Sequence, residues 1–430
     1  MRVALVIPAD PPGKNNFNQV PIGALYTATT LRVAGVEVLF ADLRRRAADQ
    51  PSVAQLADAD LVVVFSTDYD LAQCYPSLRP AADEVARLRA AGARKIVCCG
   101  SHGTVDPELT RRFTAVDGVV CGEFEFAVPG LVEHVRATGS VPPVWPLDGQ
   151  AVAATEEQLA GLGAPAYELA PMVEYASEGF VDGELDMVRS ALLLANRGCP
   201  FACNFCYLLF GRRLRRRPVE STVQEMLRLR HDYDVRHYFF LDYTFTVDKK
   251  WVEKLAAEIQ RHRLDVSWMC QTRVDCIDPS VLAQMKAAGC AGVWLGVESP
   301  ELEQRRYLSK DKIAFSDIDA AVRMIREAGL EVLSFVMVGL PNETEDSLRS
   351  LNDWLTESEV YYSLSTFQRR PGTPLARDSG LELDSWDALD RPSGVLGESS
   401  LQLRDLDWFF EYHDRSPHRV SNVMRKAVRL

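Results

Sequence analysis

Short runs of consecutive apolar residues, separated by stretches with helical periodicity, constrain the fold of this 430-residue chain more than any other feature. Runs that do not alternate with polar residues are typical of parallel strands buried on both faces. Five predicted strands lie at 3–7, 36–40, 61–65, 96–99 and 119–121. Helical patterns lie at 22–34, 77–91, 107–113 and 126–137. Residues 1–138 are therefore predicted to form a Rossmann-like doubly wound sheet, with ligand at the carboxyl ends of its strands.

A second series of strands and helices begins near residue 185. Residues 139–184 are rich in Pro and Gly and are interpreted as a linker. Further strands are predicted at 191–195, 238–241, 266–271, 292–296 and 331–338. This α/β series predicts a partial (β/α)6 barrel over 185–375, with an active site at the C-terminal ends of its strands. Residues 376–430 are predicted to be a short tail whose aromatic residues, Trp386 among them, close the barrel.

The acidic balance of the chain argues against a nucleic-acid partner, because a general nucleic-acid binder needs a basic surface. The formal net charge is −12 at pH 7. No apolar run approaches the roughly 20 residues of a membrane span, and the apolar start is too short for a signal peptide. The composition therefore predicts a cytoplasmic protein without a nucleic-acid or membrane partner.

A loop with three closely spaced cysteines follows the first predicted strand of the second series. Cys199, Cys203 and Cys206 are spaced four and three residues apart. Thiolates at this spacing can bind three corners of one 4Fe-4S cluster, which normally takes four. No fourth cysteine lies nearby in the sequence, so one iron is expected to stay open, as catalytic metal sites do. Gly198 is expected to let the loop backbone approach the cluster.

The main alternative for these cysteines is a structural zinc ion, which needs a fourth Cys or His ligand. The nearest histidines, His231 and His237, lie on the next predicted helix and strand, at unsuitable spacing. The other seven of the ten cysteines lie mostly in or beside apolar segments. They are expected to pack as small hydrophobic side chains.

The cysteine loop resembles the signature of the radical S-adenosylmethionine (SAM) superfamily. This resemblance implies that the open iron binds SAM and that one electron from the cluster cleaves it to a 5′-deoxyadenosyl radical. The ends of the later strands also resemble that family. The resemblance implies SAM contacts for Gln271, Arg273, Glu298, Ser299, Gly339 and Pro341. An ordinary ion network at the top of the barrel is the alternative for the charged residues of this region.

Parts of the first domain are similar to the cobalamin-binding domain that precedes many radical SAM barrels, at 20–25, 100–108 and 122–125. The resemblance implies a cobalamin-dependent methyltransferase. However, Cys99 and Phe124 stand where that family usually has glycine. Such glycines let the backbone approach a ligand closely, so cobalamin binding stays uncertain. His102 is interpreted as a loop-stabilising residue rather than a metal ligand.

The altered glycines favour a second hypothesis, in which the first domain is a degenerate relic. The chain then resembles the radical SAM diol-dehydratases of aminoglycoside biosynthesis, and radical dehydration or deoxygenation of a small hydroxylated natural product is the favoured function. An antibiotic-biosynthesis role would follow. Such a dehydration needs a general acid or base, for which Tyr207, Asp242 and Tyr243 are candidates. A protein that senses SAM without turnover is a further alternative.

A cluster of this kind needs an electron donor, for which a flavodoxin, a ferredoxin or a dedicated reductase is expected. A run of arginines follows the third cysteine of the motif, at Arg212, Arg213, Arg215, Arg216 and Arg217. It is interpreted either as a solvated loop or helix start, or as a contact surface for a phosphate or a partner reductase.

Overall fold

The structure is a computed structural model that describes residues 1–9, 19–45, 50–69, 77–181, 183–390 and 394–421. The described residues contain two large β-sheets, one parallel and one parallel except at its β7 edge, which are flanked by helices, and a separate two-stranded pair. The predicted α/β class is therefore confirmed, with a Rossmann-like sheet followed by a partial barrel and a short tail.

The first sheet has the strand order β2-β1-β3-β4-β5-β6, and every neighbouring pair is parallel. Its strands are β1 (Arg2–Ile7), β2 (Glu37–Asp42), β3 (Leu61–Phe65), β4 (Ile96–Cys99), β5 (Gly118–Val120) and β6 (Val144–Trp145). Its helices are α1 (Ile22–Val33), α2 (Val53–Ala57), α3 (Arg79–Ala90), α4 (Ser101–Val105), α5 (Pro107–Thr114) and α6 (Phe124–Thr138). The five predicted strands correspond to β1–β5; the apolar runs of β1, β3, β4 and β5 are buried as expected, whereas Val38 and Leu39 of β2 are partly exposed.

A buried carboxylate at the end of β3 fixes the start of α1. Asp68 accepts hydrogen bonds from the amides of Gly23 (2.8 Å) and Ala24 (2.9 Å), in the first turn of that helix. These amides have no partner within the helix, so an acceptor there stabilises its N-terminus. Burial raises the pKa of Asp68 to about 6, and the amide hydrogen bonds oppose this rise.

The segment predicted to be a linker contributes a strand to each sheet. It contains β6, α7 (Glu156–Gly161) and β7 (Ala176–Val181), and β7 pairs with β8 (Glu184–Leu193) in antiparallel fashion. Buried and partly exposed residues are mixed along β7, as is common in an antiparallel strand at a sheet edge. The continuous apolar run that marks a buried parallel strand is therefore missing from its sequence.

The second sheet is an open barrel with the strand order β15-β14-β13-β12-β11-β8-β7, and the strands from β8 onward are parallel. Its later strands are β11 (His237–Phe240), β12 (Ser267–Arg273), β13 (Cys290–Glu298), β14 (Glu331–Val338) and β15 (Tyr361–Thr366). The two-residue strands β9 (Asn196–Arg197) and β10 (Arg215–Arg216) form a separate antiparallel pair. The helices are α8 (Val219–Tyr233), α9 (Lys249–Arg261), α10 (Pro279–Ala287), α11 (Leu302–Tyr307), α12 (Phe315–Glu327) and α13 (Glu345–Ser358).

The tail contacts both the barrel and helices of the first domain. It contains α14 (Pro374–Asp378), a 3-10 turn at Trp386–Asp390 and α15 (Asp407–Arg415). On α15, His413 lies 2.8 Å from the hydroxyl of Tyr362 in β15. Trp386 instead packs against His102 (ring centroids 4.7 Å apart) and donates to the hydroxyl of Thr110, both in the first domain. The prediction that Trp386 closes the barrel is therefore wrong.

Six of the seven cysteines outside the motif are buried, as predicted: Cys98, Cys99, Cys121, Cys270, Cys276 and Cys290. Cys74 lies outside the described residues. Within the described part of the chain, every helix is too short or too polar to span a lipid bilayer.

Candidate functional site

The cysteine loop begins at the short β9–β10 pair, just beyond the end of β8. Gly198 has a φ of +86°, a backbone conformation that side chains rarely adopt. A Cβ atom there would lie 2.1 Å from the carbonyl oxygen of Arg213. The next amide, of Cys199, donates to the carbonyl of Gly211 at 3.1 Å. Glycine is therefore needed at this position for contact with the chain itself, and the approach of the loop backbone to the cluster stays a prediction.

The three cysteines of the motif line one cavity of about 280 Å³ at the C-terminal ends of the barrel strands. The sulfur of Cys199 lies 3.4 Å from the hydroxyl of Thr244. Burial raises the pKa of Cys206 to about 12 and also raises that of Cys203. These thiols are thus protonated in the free chain, and metal binding must release their protons. Three thiols around one cavity, each able to bind a different iron, fit a cubane cluster with an open corner.

Arg273, at the end of β12, lies beside one of these cysteines. Its guanidinium donates to the sulfur of Cys203 at 2.9 Å. Two further hydrogen bonds, of 2.8 and 2.9 Å, join it to the carboxylate of Asp275. It also stacks 3.9 Å from the ring centroid of Phe201, which belongs to the cysteine loop. The residue predicted to contact SAM is thus held next to a cluster ligand.

A buried ion pair between Lys310 and Glu298 also lines the cavity. Lys310, in the segment after α11, donates to the carboxylate of Glu298 at 2.7 Å and to the carbonyl of Gly296 at 3.0 Å. Glu298 has a φ of +65°, at an irregularity in the pairing of β13 with β14. All three residues line the cavity. Sequence reasoning identified Glu298 but missed Lys310, because a single lysine after a helix carries no motif.

Three residues predicted to bind SAM do not line the cavity: Ser299, Gly339 and Pro341. The hydroxyl of Ser299 donates to Gln304. The amide of Gly339 donates to the carboxylate of Glu343 at 2.8 Å, and a Cβ atom at Gly339 would lie 2.7 Å from the carbonyl of Leu396. Ser299 and Gly339 therefore contact the protein itself, whereas Gln271 does line the cavity.

Among the candidate acids and bases, Tyr207 and Tyr243 line the cavity and Asp242 does not. Asp242 accepts from the amides of Ala195 (2.9 Å) and Asn196 (2.8 Å), and also from the side-chain amide of Asn196. Burial raises the pKa of Asp242 to about 7, although these hydrogen bonds oppose the rise. The geometry favours a positioning role for Asp242, at the chain segment that leads into the cysteine loop, over proton transfer to a substrate.

The two tyrosines of the cavity are neutral phenols. Burial raises the pKa of both Tyr207 and Tyr243 above the ordinary value. The ring of Tyr207 also lies close to Gly372, where a Cβ atom would be 3.1 Å from the ring and 2.8 Å from Val105 of α4. Tyr207 thus lies where the cavity meets the first domain.

Buried ion pairs join the first domain to the cysteine loop. Arg197, two residues before Cys199, donates to the carboxylates of Glu123 and Glu125. Arg215 donates to Glu123 at 2.5 Å. All four side chains are at most 4% exposed. The sequence presented Glu123 and Glu125 only as part of a cobalamin-like motif.

At the carboxyl ends of the strands of the first sheet, atoms of the protein itself lie close to two glycines that the cobalamin-like motifs contain. A Cβ atom at Gly100 would lie 2.2 Å from the hydroxyl oxygen of Ser66, and one at Gly122 would lie 2.2 Å from the amide nitrogen of Val152. Phe124 is buried and stacks 4.6 Å from the ring centroid of Tyr69. Gly100, Gly122 and Phe124 therefore contact the protein itself, and these three positions leave no space for a ligand. Residues 10–18 and 70–76, which follow β1 and β3 in sequence, lie outside the described residues.

Residues 193–355 match the family model of the radical SAM superfamily. The thiol-lined cavity lies at the strand ends of this same region. The chain therefore contains a radical SAM domain, and this family implies a 4Fe-4S cluster and SAM as cofactors.

Particular relatives extend over both domains. An uncharacterized methyltransferase of Pyrococcus horikoshii is 27% identical over 99% of this chain and 91% of its own length. The cobalamin- and cluster-bound radical SAM methyltransferase TsrM of Kitasatospora setae has a TM-score of 0.67 and 19% identity, covering 88% of this chain and 77% of that chain. The cobalamin-dependent radical SAM enzyme OxsB has a TM-score of 0.64 and 15% identity, over 82% of this chain and 51% of its own. The fold is thus that of cobalamin-dependent radical SAM enzymes.

Proposed function

We propose that this chain is a radical SAM methyltransferase that acts on a carbon atom of a small molecule. The observation that carries the proposal is the likeness of the whole chain, both domains included, to proteins named as methyltransferases. Methyl transfer replaces dehydration as the favoured function, because both of these relatives are named as methyltransferases and neither name points to an elimination reaction. A small substrate suits a cavity of about 280 Å³.

When bound, the cluster and SAM supply a one-electron cleavage that yields a 5′-deoxyadenosyl radical. Cys199, Cys203 and Cys206 would hold the cluster, since their thiols surround one cavity. Gln271, Glu298 and Lys310 are the polar side chains of that cavity that we assign to SAM. The Lys310–Glu298 pair leaves both an ammonium and a carboxylate at the wall, which suits the carboxylate and amino groups of a bound amino acid.

Radical dehydration stays as a second candidate function, which one observation favours. The space next to Gly100 and Gly122, at the edge of the first sheet, is occupied by other atoms of the protein, and the ring of Phe124 fills further space there. A first domain without cobalamin would leave no carrier for a methyl group. For an elimination, Tyr207 and Tyr243 are the phenols within reach of a substrate in the cavity.

Anaerobic reconstitution with and without cobalamin distinguishes the two functions. The reduced protein is incubated with SAM that carries a deuterated methyl group, and bound cobalamin, 5′-deoxyadenosine and S-adenosylhomocysteine are measured. Methyl transfer predicts about one cobalamin per chain and labelled methyl on it, together with S-adenosylhomocysteine. The proposal fails if 5′-deoxyadenosine forms while neither cobalamin binding nor S-adenosylhomocysteine is detected. That result would favour dehydration.

A further inference from the structure

An exposed turn of the chain lies directly against the cysteine loop. We call residues 211–213 the arginine turn, since it carries Arg212 and Arg213. The carbonyl of Gly211 accepts from the amide of Cys199, and Arg212 donates to the carbonyl of Phe201. The carbonyl of Arg213 closes over Gly198 so tightly that no side chain fits there. Three contacts thus fix the arginine turn to the backbone that holds the cluster ligands.

The side chains of the arginine turn give this surface a positive charge. Arg212 and Arg213 are exposed. Neither forms an ion pair with a carboxylate of the described residues, whereas Arg215 and Arg217, in the same run, are buried in ion pairs. Three carboxylates of neighbouring segments are paired with other arginines. Asp275 pairs with Arg273, while Glu156 and Asp248 pair with Arg216.

A basic surface at this place is unusual in a chain whose formal net charge is −12. A radical SAM cluster must receive an electron from outside, and electron transfer requires that the donor come close to the cluster. Opposite surface charge speeds the encounter of two proteins and fixes their orientation. The arginine turn combines a positive charge with direct contact to the loop of the cluster ligands.

We propose that the arginine turn is the docking surface for a small acidic electron-carrier protein of the flavodoxin or ferredoxin class. The carrier's flavin or iron–sulfur centre loses one electron and the cluster gains one, with no other bond made or broken. The proposal rests on the radical SAM assignment but not on whether methyl transfer or dehydration follows.

Arg213→Glu tests the proposal, because the side chain of Arg213 is exposed and its contact with Gly198 is made by the main chain. Arg94→Glu is the matched control. Arg94 is exposed, has no carboxylate partner among the described residues, and lies just before β4, at the amino end of the first sheet. Arg213→Gln provides a milder change that removes the charge without reversing it.

The readout is the rate at which reduced flavodoxin bleaches the oxidised cluster, measured by stopped-flow at several flavodoxin and salt concentrations. Reduction by dithionite is measured in parallel. Arg213→Glu should lower the rate at limiting flavodoxin and low salt by about tenfold, Arg213→Gln by less, and Arg94→Glu not at all. Added salt should shrink the difference. Dithionite should reduce all four proteins equally.

The proposal is overturned if both Arg213 variants behave like Arg94→Glu with flavodoxin, or if dithionite reduction falls in parallel with flavodoxin reduction. Failure of the radical SAM assignment would look different. The unaltered protein would then form no 5′-deoxyadenosine with dithionite and SAM, whatever the rate at which its cluster is reduced.

Discussion

At the scale of single residues, the cavity combines three thiols with three cations, Arg273, Lys310 and Arg370, and one carboxylate, Glu298. Arg273 is the cation that contacts a cluster ligand, Cys203, while Lys310 is neutralised by Glu298. Asp275 and Phe201 hold the guanidinium of Arg273 from two further sides. A guanidinium fixed in this way donates a hydrogen bond to the ligand sulfur rather than reaching freely into the cavity. Such contacts to metal ligands change the redox potential of a metal centre.

Removing the guanidinium of Arg273 should make the cluster harder to reduce. Hydrogen bonds to the ligand sulfurs and nearby positive charge both stabilise the reduced, more negative cluster. Arg273→Gln should therefore shift the midpoint potential to a more negative value, and Arg273→Lys, which keeps the charge but loses the planar fork, should shift it less. A redox titration monitored by electron paramagnetic resonance checks this. An unchanged potential at full iron content would refute the role of Arg273.

At this scale the sequence predicts residue types at strand ends better than it predicts their contacts. The three cysteines, Gln271, Arg273 and Glu298 all line or border the cavity because strand ends are set by apolar periodicity. Ser299 and Gly339 lie one residue beyond strands β13 and β14, respectively, yet contact the protein itself. The direction of a side chain just after a strand depends on the backbone conformation of the loop. The apolar periodicity of the sequence carries no information about that conformation.

At the scale of elements, the short β9–β10 pair shapes the cysteine loop. It brings the arginine turn back against Gly198, and the chain reverses there without space for a side chain. The sequence could not predict this pair, because two-residue strands leave no pattern. Strands β1, β3 and β4 were predicted within one residue, since uninterrupted apolar runs identify them.

Gly198→Ala should destabilise the loop through both its backbone conformation and the contact with Arg213. A positive φ costs a non-glycine residue roughly 1 kcal/mol or more, and the 2.1 Å contact adds to this. Gly183→Ala is the control, because Gly183 has a φ of +85° with nothing within 4 Å of its Cβ position. Urea unfolding and iron content after reconstitution are the measurements. Equal behaviour of the two variants would contradict the crowding argument.

At the scale of the whole molecule, the first domain and the barrel are joined by buried charges beside the cluster ligands. Glu123 and Glu125 at the start of α6 reach Arg197, which stands two residues before Cys199. Arg217 likewise reaches Tyr26 of α1. These arginines and glutamates are separated widely in sequence, so their pairing follows from the packing of the domains and could not be predicted from local pattern.

Arg197→Met should strongly destabilise the joined domains. It would leave the buried carboxylate of Glu125 without a counter-charge, which typically costs about 3–5 kcal/mol, while Glu123 would keep Arg215. The double variant Arg197→Met, Glu125→Gln removes the unpaired charge, keeps the Arg215–Glu123 pair and should recover part of the loss, as measured by denaturant unfolding. If the single variant unfolds at the same denaturant concentration as the unaltered protein, the ion pairs do not stabilise this interface.

The central claim is that three cysteines hold a SAM-cleaving cluster, and one measurement tests it directly. Unaltered protein, Cys199→Ala, Cys203→Ala, Cys206→Ala and the control Cys276→Ala are reconstituted anaerobically, and iron content and 5′-deoxyadenosine are measured with SAM and dithionite. Unaltered protein and the control should bind about four irons per chain and form 5′-deoxyadenosine, and the three cysteine variants should form none. Formation of 5′-deoxyadenosine by any of those three at the unaltered rate, or its absence from the fully loaded unaltered protein, would contradict the account.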